Sequence, residues 1–179
     1  VADAEARARA QLLARGLSMT PSNTKNPAWL ARQARAVAKQ SHLDVRVWDE
    51  RQLAREGFGG LIAVGSGSAT PPRLVQLDHV PDGATAATPR VVLVGKGITF
   101  DTGGLQVKPV DGMLGMKTDM SGAAIVLAVV AACHELGVAV RVTGLLALAE
   151  NAVDGDSYRP GDVVTQYGGR TVEIGNTDA

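Results

Sequence analysis

One cysteine, Cys133, stands among 179 residues, so no internal disulfide can form, and its apolar surroundings suit an inert buried thiol. Aromatic residues are almost as scarce. Two Phe, two Tyr and two Trp leave the core to Val, Leu, Ala and Ile and provide no stacking platform for bases. Charge of one sign is also missing: 18 Lys and Arg offset 18 Asp and Glu, which argues against nucleic acid or an anionic membrane as the main partner. The longest apolar run, Ala123 to Cys133, is too short to cross a bilayer, and the opening VADAEARARAQLLARG carries no cleavable signal pattern. There is no internal repeat and no low-complexity tract. These absences predict a soluble protein of a reducing cytoplasm, with room for one core of ordinary size.

The patterning that is present alternates helix and strand. Ala4 to Leu13 reads as a helix, and Asn26 followed by Pro27 reads as an N-cap and first helical position for a second helix to about Gln40. DVRVW from Asp44, Leu61 to Val64, and Leu74 to His79 are short apolar or alternating runs that predict strands. After a Pro, Gly, Ala and Thr loop from Val80 to Pro89, RVVLVG is an uninterrupted apolar strand of the kind buried in parallel sheets. Met120 to Leu136 predicts a buried helix ended by Gly137, and Val138 to Leu148 returns to strand. Strand, helix and strand in that order imply a crossover connection with ligand sites at the carboxyl ends of the strands. Gly168 and Gly169 predict a hairpin turn near the end. The expected fold is α/β, a three-layer α/β/α arrangement around a mixed, mostly parallel sheet.

The chemistry concentrates in VVLVGKGITFDTGGLQVKPVDGMLGMKTD, from Val91 to Asp119. Two divalent ions held close together need several carboxylates, and Asp101, Asp119 and Asp178 can supply them. Lys96 could join only as a neutral amine, which a neighbouring dication and desolvation favour. Gly95, Gly97, Gly103 and Gly104 are expected to turn the backbone sharply and bring Lys96 and Asp101 together. Asp119 is placed to cap the helix that begins near Ser121. The plainer alternative stays open: a single Asp before a helix is usually a cap, and a Lys after a strand a solvated charge.

Other signatures fail. His134-Glu135 opens HExxH, but Val138 occupies the second histidine position, leaving a surface pair. VGKG lacks the leading glycine and the Ser or Thr of a phosphate loop. Ser22 to Lys25 matches SxxK by spacing only, which reads as a capped turn, and GSGS from Gly65 opens no clear helix.

VGKGITFDTGGLQVKP, then MKTDMSGAA, and finally NTDA resemble the leucyl aminopeptidase family of dinuclear metallopeptidases, as do NTKNPAWLA and GFGGLIAVGSGSATPPRLVQL earlier. The resemblance runs through nearly the whole chain. It implies a metal-dependent aminopeptidase that releases N-terminal residues, with leucine-type preference, from peptides with a free N-terminus, by means of a water activated by two cations. It implies Lys96, Asp101, Asp119 and Asp178 as metal ligands, with Asp101 bridging, and Lys108 as the catalytic lysine that polarises the scissile carbonyl. Met116 resembles a residue of the pocket for the first side chain, and Asn176 is expected beside the substrate. The ligand types fit Mn²⁺ or Zn²⁺, with Mg²⁺ admissible. The family pattern continues beyond the NTD aspartate to a bridging glutamate and to an arginine that positions a bicarbonate, and Ala179 comes before either. The 179 residues are therefore expected to be the first part of a catalytic domain, inactive alone, separated from the family's N-terminal domain and from the rest of the catalytic domain. A cytoplasmic hexamer is the implied assembly. A non-catalytic regulatory or DNA-binding homologue is the alternative.

Overall fold

The computed structural model describes residues 1–179. In chain order it contains α1 (Ala2–Met19), α2 (Pro27–Gln40), β1 (Asp44–Trp48), α3 (Glu50–Glu56), α4 (Gly59–Gly65), β2 (Arg73–His79) and β3 (Arg90–Asp101). After these come α5 (Val110–Met113), a 3₁₀ turn (Met116–Thr118), α6 (Ser121–Ala132), β4 (Arg141–Asn151), β5 (Val163–Thr165) and β6 (Thr171–Glu173). Local chemistry sets several boundaries. Asn26 Oδ1 accepts the Trp29 N–H at 2.8 Å and Pro27 opens α2, while Asp49 and Gln52 form a reciprocal capping box on α3. Gly57, at φ 82°, ends α3 in the left-handed region that other residues avoid.

The four long strands lie in the order β1-β2-β4-β3. The α/β class and the mixed sheet match the sequence reading, but the balance of directions does not: β1–β2 and β2–β4 are antiparallel, and only β3–β4 is parallel. The β2 strand follows β1 after two short helices that do not carry the chain back across the sheet in the β3–α6–β4 manner. Alternation along β2 sends Val75 and Leu77 into a cluster of 18 buried residues shared with α1, α2 and α6, and sends Leu74 into a smaller cluster with Trp48 and Leu53 beside α3 and α4. Helices thus cover both faces.

Two sequence expectations change. Leu61 to Val64 lies in helix α4, because a four-residue apolar run flanked by glycines has no periodicity of its own and its packing against β4 decides. Gly95 and Gly97 are strand residues of β3 and not loop residues. A Cβ on Gly95 would come within 2.6 Å of Ala123 Cα, so the glycine lets α6 lie directly on the strand. The sharp turning belongs to Gly103 and Gly104, at φ 89° and 67°. The segment Val110–Ala132 has a composition that could span a membrane, yet it is divided between α5, the 3₁₀ turn and α6, and one face of α6 is buried against the sheet.

Candidate metal centre

The β3 strand carries Lys96 and ends on Asp101, and between Ile98 and Asp101 it gains one residue relative to β4. Such a bulge re-aims a strand end. Asp101 is 1% exposed, and its Oδ1 accepts the Gly103 N–H at 2.8 Å and the Asn151 Nδ2 group at 2.7 Å. Asn151 lies opposite Asp101 in the parallel register, at the end of β4. Its amide also donates to Thr177 O at 2.9 Å, so one buried side chain joins the strand end to the NTD segment.

Thr177 is fully buried and held on every side. Its N–H donates to Gln106 Oε1 at 2.8 Å, and its hydroxyl donates to Gly103 O at 2.7 Å and accepts the Gln106 N–H at 2.9 Å. Its carbonyl also accepts the Tyr158 hydroxyl at 2.8 Å. Asp178 is thereby carried over the loop, half exposed, with Lys108 Nζ 2.5 Å from Oδ1; the same ammonium lies 3.4 Å from Asp101 Oδ2. The hydrogen bond from Lys108 holds Asp178 below the usual carboxylate range, and Asp178 in turn raises Lys108.

On the other side, Lys96 Nζ lies 2.9 Å from Asp119 Oδ2. Burial raises the Asp119 carboxyl, and Lys96 opposes that rise. Asp119 does not cap α6, whose N-cap is Met120 without a side-chain bond, so the expected capping role is replaced by the pairing with Lys96. Lys96 itself faces an open, mostly apolar cavity of about 420 Å³ lined by Leu61, Val64, Val94, Ile98 and Ala147. A larger concavity of about 550 Å³ lies elsewhere, beside Asp154 to Arg159, and contains none of these ligand candidates.

The structure therefore draws Lys96 to Asp119, and Lys108 to Asp101 and Asp178. Met116 is half-buried in the 3₁₀ turn leading to Asp119, and Asn176, exposed, accepts the Asp178 N–H at 3.1 Å. No three His, Cys, Asp or Glu side chains cluster closely enough to hold an ion by themselves. The donor set fits cations in one specific respect. Asp101 Oδ2 and Asp119 Oδ2 are buried, and the group that approaches each is a lysine ammonium, Lys108 at 3.4 Å and Lys96 at 2.9 Å. Buried anionic oxygens call for positive charge, which the two ammonium groups bring here and which divalent cations bring equally. Sequence reasoning did not single out Asn151, Thr177, Gln106 or Tyr158; only the polar Glu150-Asn151 pair closing an apolar strand marked one of them.

The model of the cytosol aminopeptidase family's catalytic domain matches residues 12–179. The chain belongs to that family. A protein from Leifsonia xyli subsp. xyli named "Probable cytosol aminopeptidase" is 50% identical over all 179 residues, which make up 36% of its length. Among solved structures, the bottromycin maturation enzyme BotP in complex with Mn is 46% identical with a TM-score of 0.92, covering 99% of this chain and 38% of BotP. The apo leucyl aminopeptidase from Trypanosoma cruzi is 40% identical with a TM-score of 0.87, covering 94% of this chain and 32% of that one. The chain thus spans about a third of the length of these family members.

Proposed function

We propose that the protein containing this chain is a metal-dependent aminopeptidase, with Lys96, Asp101, Asp119 and Asp178 holding two divalent cations. The observation that carries this reading is the convergence of the buried carboxylate oxygens of Asp101 and Asp119 on the Lys96 and Lys108 amines, in a chain of the cytosol aminopeptidase family. Bound there, the cations supply Lewis acidity toward the scissile carbonyl and a lowered pKa for the attacking water. Mn²⁺ fits by analogy with BotP, and Zn²⁺ and Mg²⁺ share the same oxygen and nitrogen preference.

The chain's own residues do the rest. Asn151 and the Gly103 N–H fix one oxygen of Asp101 and leave the other facing the site. Lys108, held between two carboxylates, offsets the charge that grows on the carbonyl oxygen as the amide becomes tetrahedral. Met116 contacts the first side chain of a peptide whose free amine sets the cleavage register, and Asn176 borders the same space. The reading extends to a bicarbonate proton shuttle, a hexamer and a cytoplasmic setting as family traits.

The test uses the full-length protein. Incubated with Mn²⁺ or Zn²⁺, it is expected to hold two ions per chain and to hydrolyse leucine p-nitroanilide but not the N-acetylated compound. Asp101→Ala is expected to abolish both two-ion loading and turnover. Two bound ions with unaltered turnover in that variant, or equal cleavage of the blocked substrate, would refute the proposal.

A further inference from the structure

Lys25 is fully buried, and no carboxylate neutralises it. Its ammonium donates to Leu17 O at 2.9 Å, Ser18 O at 3.0 Å and Lys117 O at 2.7 Å, and lies 3.1 Å from Met120 Sδ. Three N–H groups meet three carbonyls, so the charged form is fully satisfied, although burial and the charge of Lys117 lower its pKa to about 8. Leu17 and Ser18 lie in the last turn of α1, where carbonyls lack helical partners and the helix dipole is negative. Lys117 lies in the 3₁₀ turn between Met116 and Asp119. A buried cation therefore binds the end of α1 to the turn that carries one ligand candidate and one pocket residue.

A second tie runs in parallel: Ser121 Oγ contacts Ser18 Oγ at 3.0 Å and donates to Thr118 O. On the other side of Lys25, Ser22 Oγ donates to Thr99 O on β3 at 2.8 Å, so the short loop from Pro21 to Lys25 reaches both walls of the site. The SxxK spacing has a structural meaning here, with Ser22 gripping the Lys96 strand and Lys25 the Asp119 turn.

We propose that Lys25 is a positioning residue that sets the Met116–Met120 turn against α1 and so fixes the distance between Asp119 and Lys96. This rests on the reading of Asp119 as a metal ligand. Loss of the ammonium leaves three carbonyls unpaired in a dry site, and the turn relaxes away from α1.

The test is Lys25→Met in the full-length protein, with Lys25→Gln as a milder variant and Leu53→Ala, in the small cluster on the opposite face, as a stability control. Mn²⁺ titration by calorimetry and leucine p-nitroanilide kinetics are read at a temperature where all variants are folded by circular dichroism. Lys25→Met is expected to weaken Mn²⁺ binding at one of two sites about 10-fold and to lower kcat/KM by 10-fold or more, with Lys25→Gln intermediate. Leu53→Ala is expected to lower the melting temperature and leave both readouts unchanged. If Lys25→Met does not fold, Lys25→Gln decides alone. A folded Lys25 variant with the parent's Mn²⁺ affinities and kinetics overturns the proposal, as does an equal loss in Leu53→Ala. If the parent protein itself binds no Mn²⁺ pair, it is the aminopeptidase reading that fails.

Discussion

Lys108 touches two carboxylates that differ sharply in setting, one sealed at the end of β3 and one half exposed after the last hairpin. Its charge offsets theirs. If the proposed reading holds, Lys108→Ala in the full-length protein is expected to preserve two-ion loading and to lower kcat by about 10²-fold to 10³-fold, the loss typical of one oxyanion donor. Turnover of an aminoacyl p-nitroanilide together with metal content by mass spectrometry checks this; lost metal would make Lys108 a prop for Asp178. The residues legible in the sequence were those whose type was out of place, such as a lysine and an aspartate closing an apolar strand. Asn151, Thr177 and Lys25 were not legible. Their partners are mostly main-chain groups, and for Lys25 and Lys117 those groups are 92 residues apart, a relation that no local pattern carries.

Among elements, α6 lies directly against β3. The glycines there admit a helix where any side chain would collide, so Gly95→Ala forces Cβ against the Ala123 backbone. Overpacking of that kind is expected to cost about 1–3 kcal/mol in urea unfolding and to lower activity by separating Lys96 from Asp119. An unchanged midpoint would show that the two elements slide freely. The same feature explains a misreading: glycine density predicts a loop, but here it serves close packing within an extended strand. Helix α2 was legible because its cap is written locally in Asn26 and Pro27, whereas α4 is defined only by what it packs against.

Across the whole molecule, the sheet divides stability unequally. The apolar cluster beneath α1, α2 and α6 has 18 buried residues, and the cluster beside α3 and α4 has three. Leu127→Ala, at the centre of the larger cluster, is expected to cost about 2–5 kcal/mol, while Leu53→Ala costs less because the small cluster can collapse around the gap. Urea melts of both variants under one set of conditions test the ranking. The α/β class was legible from alternating periodicity, but the strand directions were not, since antiparallel β1–β2 and β2–β4 depend on connections that hydropathy does not encode.

The latch around Thr177 bears on how the proposed centre would gain and lose ions. Because five hydrogen bonds already immobilise the segment ahead of Asp178, the entropy of ordering it belongs to folding and not to cation capture. Stripping the ions with a chelator would then leave a vacant but shaped cradle, ready to refill without rebuilding the backbone.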